Sequence, residues 1–178
     1  MTESELLAAC RAGDQAAFAT LVHRNRHVAW TVCREITGSN EDAEDALQEA
    51  LTSAWQNIAK FRGDSRFSTW LYRISSNAAT TVARRRTDTG RLSFDDMTEF
   101  DEPVHPGTLT DDRVASVDSV RRAIADLPDE FKIPIILREF ADLSYSEIAE
   151  HQNVPIDTIR TRIHRGRRQL VRTLREAS

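Results

Sequence analysis

Arginines crowd the last part of the chain at spacings that would suit a helix lying on DNA. The planar guanidinium of arginine matches the O6 and N7 acceptors of guanine and also binds phosphates. An apolar stripe orients this segment, and its members are Ile156, Ile159, Ile163, Leu170 and Leu174. Basic side chains occupy the other faces, and they are Arg160, Arg162, His164, Arg165, Arg167, Arg168, Arg172 and Arg175. The pattern predicts an amphipathic helix with a strongly basic outer face.

A shorter helix is predicted directly before the basic one. Ser144 and Glu147 have the spacing of a capping box, which marks a helix start. Asn153-Val154-Pro155 follows as a turn, and proline suits the first position of the next helix. Helix, tight turn and basic helix together predict a helix-turn-helix unit, whose second helix enters the major groove. A solvated basic face and a membrane-surface helix are the alternatives, and the capped partner helix argues against both.

Aromatic and basic residues alternate between Phe61 and Ile74, in the run FRGDSRFSTWLYRI. Aromatic rings beside cations suit the stacking of unpaired bases. Gly63, Asp64 and Ser65 are predicted to end one helix and to cap the next. Several apolar members of the run have a simpler interpretation as core residues. The nucleic-acid hypothesis therefore depends on the polar residues and the loop.

Two further spacings give weaker signals. His23 and His27 stand four residues apart, as two metal ligands on one helix face would, but no Glu lies between them as in a metalloprotease. A solvated helix face is the preferred interpretation. Cys10 and Cys33 form no CxxC pair, which favours inert thiols in a reducing cytosol over a disulfide framework. No catalytic triad, Gly-rich phosphate loop or paired-carboxylate cleft stands out, so the sequence predicts no enzyme activity, no metal and no cofactor.

Helical periodicity covers nearly all of the chain. The helix predicted from Ser39 to Lys60 has one apolar stripe, formed by Ala43, Leu47, Ala50, Ala54 and Ile58. Helical residues stop near Arg86, and the periodicity resumes at Val114. The sequence therefore predicts an all-α fold in two helical parts.

The segment between these parts is acidic. The chain carries a net charge of −4, and residues 88–112 alone include eight acidic residues against one basic residue. Gly90 and Pro103 interrupt any helical pattern there, so the segment is interpreted as a flexible linker. Two small helical domains, over 1–87 and 113–178, are predicted on either side of it. The second contains the helix-turn-helix.

Signals for export or membrane insertion are missing from the sequence. Residues 1–5 lack the basic and then apolar pattern of a signal peptide. Apolar runs stay well short of the roughly 18 residues that a membrane helix needs. We therefore expect a cytoplasmic protein without membrane insertion.

Four blocks of sequence, in this order, resemble the extracytoplasmic-function (ECF) group of the sigma-70 family of RNA polymerase sigma factors. They are DAEDALQEA from Asp42, the FRGDS-x-F-x-TWLYRI run with Asn77 behind it, LSYSEIA from Leu143 and VPIDTIRTRIHR from Val154. The resemblance covers nearly the whole chain except the linker. The resemblance to this group implies a protein that binds core RNA polymerase, recognises the −35 and −10 elements of promoter DNA and helps to open the promoter.

Roles for individual residues follow from the same resemblance. Docking on the clamp helices of the largest polymerase subunit is implied for Asp42, Asp45, Gln48 and Glu49. Contact with the melted −10 element is implied for Phe61, Arg62, Gly63, Asp64, Ser65, Arg73, Asn77, Arg84 and Arg85. Reading of the −35 element is implied for Arg160, Thr161, His164 and Arg165. Arg168 is predicted to contact DNA further along the helix, where phosphates are the expected targets. The second domain would also bind the flap of the second-largest polymerase subunit. The linker would enter the active-site and RNA-exit channels of the polymerase. An anti-sigma factor is a further expected partner.

The sequence departs from the family pattern at two positions, and two other functions remain as alternatives. Asp157 replaces a frequent glycine and brings an acid close to the expected phosphates, and Pro134 interrupts a predicted helix. One rival function is a one-component helix-turn-helix regulator with the first domain as its sensor. The other is a helical DNA-modifying enzyme, which would need a metal or nucleophile site that the sequence does not reveal.

Overall fold

The structure, a computed structural model, describes the backbone of residues 1–90 and 111–177 and the side chains of 1–89 and 117–177. The described residues form α-helices and one 3-10 turn, so the all-α prediction is confirmed. The helices are α1 (Glu3–Arg11), α2 (Gln15–Thr37), α3 (Asn40–Asn57), α4 (Phe67–Gly90), α5 (Asp111–Ala125), α6 (Asp129–Glu139), α7 (Tyr145–Gln152) and α8 (Ile156–Glu176), with the 3-10 turn at Ile58–Lys60. Most of the predicted linker, residues 91–110, lies outside the described residues.

The helices on either side of that segment are longer than the sequence predicted. α4 continues to Gly90 instead of stopping near Arg86, and α5 begins at Asp111 instead of Val114. The hydroxyl of Thr87 donates to the carbonyl of Ala83 at 3.0 Å, so this polar side chain bonds within the helix rather than ending it. Composition alone had assigned both ends to the linker.

Packing in the first half follows from the predicted apolar stripe of α3. Every member of that stripe is buried: Ala43, Leu47, Ala50, Ala54 and Ile58. The small alanines let α3 lie close to both α2 and α4. The backbone N–H of Asp42 donates to the Ser39 hydroxyl at 3.3 Å, which confirms the predicted start of this helix.

The start of α4 is satisfied by a residue far away in sequence. The backbone N–H of Phe67 donates to Glu3 Oε1 at 3.2 Å, across 64 positions of the chain. The sequence predicted that the Gly63–Ser65 segment would cap this helix, and that part of the prediction is wrong. The hydroxyl of Ser65 instead donates to the carbonyl of Arg66. α1 therefore fixes the direction in which α4 leaves the loop.

The second half is built around a close approach of α6 and α8. Gly166 of α8 is buried, and a Cβ added there would lie 2.5 Å from Ile135 Cδ1 and 3.1 Å from Phe131 Cβ of α6. Pro134 is buried inside α6, and the helix continues through it to Glu139. Contact between these two helices orients the outer face of α8.

Replacing Gly166 by valine is therefore expected to destabilise the second half by about 1–3 kcal/mol, because the added atoms overpack a contact that is already tight. The measurement is chemical denaturation followed by circular dichroism. Thr161→Val adds a branched apolar side chain at an exposed position of the same helix and is the control. Equal stability of the two variants would contradict the packing described for α6 and α8.

The two halves pack directly against each other, which the sequence did not predict. Arg121 Nε lies 3.2 Å from Glu35 Oε1, and the Glu35 side chain is only 3% exposed. Burial raises the pKa of Glu35, and the nearby guanidiniums of Arg121 and Arg34 oppose that rise. Thr69 of α4 donates to Glu147 Oε1 of α7 at 3.0 Å. Apolar packing accompanies these polar contacts, because one cluster of buried hydrophobic residues extends from the first half into the second.

Candidate nucleic-acid and polymerase interfaces

The predicted helix-turn-helix is present as α7, a short turn and α8. Ser144 and Glu147 form the capping box, with the Glu147 N–H donating to the Ser144 hydroxyl at 3.1 Å and the Ser144 N–H donating to Glu147 Oε2 at 2.8 Å. Asn153 ends α7 with a left-handed φ of 53°. Pro155 then occupies the cap position, and α8 begins at the following residue. Local sequence signals were sufficient to predict this unit.

One face of α8 is buried and the opposite face is open. Ile159 and Ile163 are 0% and 1% exposed. Ile156 was predicted to belong to the same apolar stripe, but it is 38% exposed and lies outside the core. Gly166 completes the buried stripe, which an apolar pattern could not reveal. The predicted −35 readers Arg160, Thr161, His164 and Arg165 lie on the exposed side, and so does the predicted DNA contact Arg168. All five side chains are exposed to solvent.

Several α8 side chains already have partners in the free chain. Arg160 Nη1 lies 2.8 Å from Asp157 Oδ1, so the unusual acid at the helix start pairs with a predicted base reader. Arg162 donates to Gln152 Oε1 at 3.0 Å, which ties α8 to α7. Arg162 therefore supports the turn rather than the outer face.

The loop before α4 divides into buried and exposed residues. Phe61 is 6% exposed, and its ring centroid lies 4.9 Å from that of Trp70. Its carbonyl accepts a hydrogen bond from Arg11 at 2.7 Å. The Phe61 side chain therefore belongs to the core and is not presented to DNA in this arrangement. Arg62 and Asp64 form an exposed ion pair at 3.1 Å.

Gly63 supplies the turn between these two charged residues. Its φ is +83°, a conformation that residues with a Cβ rarely adopt. Ser65 beside it is half-buried. The loop therefore exposes Arg62, Gly63 and Asp64 and keeps its aromatic side chain inside.

Two predicted DNA-contacting residues of α4 differ in exposure. Asn77 is exposed. Arg73 is 17% exposed and donates to the Glu147 carbonyl at 2.9 Å and to Glu150 Oε2 at 2.8 Å. Burial and the Arg73 charge lower the pKa of His151 to about 4, so this imidazole is neutral at pH 7. The second half thus covers Arg73 and leaves Asn77 free.

The predicted docking residues form one acidic face along α3. Asp45, Gln48 and Glu49 are exposed, and Asp42 is half-buried. Glu49 Oε1 lies 2.8 Å from Arg85 Nη1 of α4, and Asp42 is paired with Arg86. These two contacts join residues 36 and 44 positions apart, and the sequence did not predict them. Arg84, the other predicted DNA contact at this end of α4, is exposed.

The thiols and the two spaced histidines of the first half differ in exposure. Cys10 and Cys33 are both buried. Burial raises the pKa of Cys33 to about 12, so its thiol is protonated at pH 7. His23 and His27 are exposed on α2. Across residues 1–90 and 111–177, no group of three or more metal-binding side chains is gathered in one place.

Among the described residues, no helix combines the length and the apolar character needed to cross a membrane.

Sequence comparison identifies the two halves with two family models. Residues 21–89 match Sigma-70 region 2, and residues 118–170 match Sigma-70, region 4. The chain is 36% identical to the ECF RNA polymerase sigma factor SigW of Bacillus subtilis over 172 residues, which is 92% of each chain. It is also 36% identical to the ECF RNA polymerase sigma-E factor of Escherichia coli K12 over 178 residues, covering 94% of this chain and 91% of that one.

Comparison with solved structures gives the same fold. The structure of CnrH in complex with the cytosolic domain of CnrY matches with a TM-score of 0.75 at 22% identity, covering 99% of both chains. The sigma factor RpoE in complex with the anti-sigma factor NepR from Bartonella quintana matches with a TM-score of 0.73 at 22% identity, covering 89% of this chain and 96% of that one. The fold similarity therefore spans both halves.

Proposed function

The chain belongs to the ECF group of the sigma-70 family, and we propose that it directs core RNA polymerase to promoters by recognising their −35 and −10 elements and helping to open them. The exposed face of α8 is the observation that carries this proposal. The contacts of Ile159 and Ile163 turn that face outward, with Arg160, Thr161, His164 and Arg165 on it. A polar, cationic helix face of this kind suits the major groove of the −35 duplex.

The two halves have different tasks in this proposal. The first half, 1–87, docks on the clamp helices through the acidic face of α3 and captures the melted −10 strand. The second half, 113–178, binds the flap and the −35 duplex, and the segment between them enters the polymerase channels. Extruding a base from the duplex costs a few kcal/mol. Binding of the flipped base in the loop that contains Gly63 offsets this cost, so no catalytic group or nucleotide cofactor is required.

The contacts between the halves limit when Arg73 can bind DNA. Arg73 is bonded to the Glu147 carbonyl and to Glu150, so it reaches DNA only after α7 moves away from α4. Both solved relatives are named as complexes, one of them with an anti-sigma factor. We assign an anti-sigma factor as a third partner of this chain on that similarity, with the cytoplasm as the place of action.

Transcription in vitro tests the proposal. A library of templates with random −35 and −10 positions is transcribed by core polymerase with and without the protein, and the active templates are sequenced. The expected result is protein-dependent initiation from templates that share two elements. The rival, a one-component regulator, would bind duplex DNA tightly by itself and would not stimulate initiation. Tight duplex binding without polymerase and no protein-dependent transcripts would overturn the proposal.

Asn77 provides a separate test of the −10 assignment. Its amide is exposed on α4 and offers one donor and one acceptor to a base edge. Asn77→Ala is expected to weaken discrimination at one −10 position by about 1 kcal/mol, within the usual range for a neutral hydrogen-bonded contact, while −35 preference stays unchanged. The measurement is holoenzyme affinity for a series of single-base −10 variants.

Thr81→Ala is the control for Asn77, because the Thr81 hydroxyl is already bonded to the Asn77 carbonyl at 3.0 Å within the helix. An unchanged −10 preference in the Asn77 variant, or an equal loss in both variants, would contradict the assignment.

A further inference from the structure

Residues assigned to two different partners are bonded to each other in the free chain. Arg85, a proposed DNA contact, pairs with Glu49, a proposed polymerase contact, and Arg86 pairs with Asp42. All four side chains line one groove between α3 and α4. In the free chain, these two proposed polymerase-binding carboxylates are therefore already paired with arginines of α4, and these arginines are not free to bind phosphates.

The exposure of Arg85 and Glu49 permits an exchange of partners. Their side chains are 64% and 45% exposed. Exposed ion pairs contribute little to folding and are screened by salt, so another cation can replace Arg85 on Glu49 without unfolding the helices. A buried pair would be far harder to separate, since either charge would be left desolvated.

We propose that docking on core polymerase releases Arg85 from Glu49 and thereby makes this arginine available to phosphates of the promoter strand. The inference rests on the proposed function and deepens it, because the polymerase-binding face and the DNA-binding end of α4 become one coupled device. Coupling between two binding sites is reciprocal. DNA phosphates that draw Arg85 away from Glu49 therefore also strengthen docking on the polymerase.

A simpler role for the arginines predicts the opposite effect on docking. If Arg85 only held Glu49 in the orientation that the polymerase needs, Arg85→Ala would weaken binding to core polymerase. If Arg85 competes with the polymerase for Glu49, Arg85→Ala binds core polymerase at least as tightly as the unaltered protein. Titration of labelled protein with core polymerase distinguishes these two roles.

The main experiment releases Arg85 without any polymerase. Glu49→Gln removes the carboxylate charge, and Glu41→Gln makes the same charge change at an exposed position of α3 outside the groove. The full-length chain is titrated with fluorescein-labelled oligothymidylate, and anisotropy is measured across a salt series. Glu49→Gln is expected to bind about two- to fivefold more tightly than Glu41→Gln at low salt, the range of an exposed ion pair. Its log–log salt slope is expected to be steeper by about 0.7, as one additional phosphate contact to a single strand would make it.

A double variant checks that Arg85 is responsible for the gain. In the Arg85→Ala background, Glu49→Gln is expected to bind oligothymidylate no more tightly than Glu41→Gln. Equal affinities and slopes for Glu49→Gln and Glu41→Gln in the unaltered background would overturn the exchange, and so would undetectable binding by Glu49→Gln. Core binding by the unaltered protein is measured in the same series. Its absence would refute the proposed function, whereas its presence beside equal affinities would refute the exchange alone.

Discussion

Replacing both Asp45 and Glu49 by lysine is expected to abolish holoenzyme formation. The two side chains are exposed on the same face of α3, and a surface complementary to carboxylates would meet two cations instead. Like charges brought together at an interface cost several kcal/mol, which corresponds to a loss of about 100-fold or more in affinity. The measurement is a fluorescence titration of the labelled protein with core polymerase.

The control for this reversal lies one residue away. Glu44→Lys makes the same charge change as Asp45→Lys, but Glu44 is turned towards α2, where it pairs with Arg26 at 3.4 Å. Loss of that surface pair should cost at most about 1 kcal/mol of stability. Asp45→Lys should weaken core binding strongly and Glu44→Lys only slightly. Undiminished holoenzyme formation by the Asp45/Glu49 double variant would refute the docking face.

Features that depend on neighbouring residues could be predicted from the sequence. The apolar stripe of α3 and the capping box of Ser144 and Glu147 each depend on residues within a few turns of one helix, and both are present. Ile156 shows where a periodic pattern misleads. It continues the stripe of α8, but it is the first residue of the helix and remains partly exposed. Periodicity identifies a helix face without showing what covers each end of it.

Features that depend on distant residues could not be predicted. Glu3 caps α4 across 64 positions, and Arg85 reaches Glu49 across 36. A glycine carries no apolar signal, so nothing in the pattern marked Gly166 as the contact between α8 and α6. Polar contacts between the halves have no period either. Each of these features needs the fold before the partners can be known, and each bears directly on the candidate site.

Arg73 shows how a non-local contact changes the availability of a residue that the sequence assigns to DNA. The sequence predicts a DNA contact there, while the structure directs the Arg73 guanidinium to Glu147 and Glu150 of the other half. Arg85 is likewise paired with Glu49. Local sequence therefore indicates what these arginines can bind, and the non-local contacts determine what they bind in the absence of partners. Arg62 and Arg160, two further proposed DNA contacts, are paired with Asp64 and Asp157.

Replacing Arg165 or Arg172 of α8 by alanine is expected to weaken DNA binding in two different ways. Arg165 is on the exposed face opposite Ile159 and Ile163, beside the other proposed base readers, whereas Arg172 lies two turns further along the helix. Arg165→Ala should lose up to about 3 kcal/mol and relax preference at one −35 base pair, as expected for a guanidinium bonded to a base edge. Arg172→Ala should weaken all sequences alike and reduce the log–log salt slope by about 1, as expected for a single phosphate contact on duplex DNA.

Holoenzyme affinity for single-base −35 variants, measured across a salt series, separates the two effects. Arg172 loses only a surface contact with Glu176 at 3.9 Å when it is truncated, so folding should be nearly unaffected. Thermal denaturation of both variants verifies this, since damage to the α6–α8 packing would weaken every contact of the helix together. If Arg165→Ala lowers affinity equally for all sites, or Arg172→Ala changes base preference, then α8 meets the duplex in a different orientation. The buried face of Ile159, Ile163 and Gly166 would still fix the helix in its domain, and the angle at which that domain approaches the groove would be the part to revise.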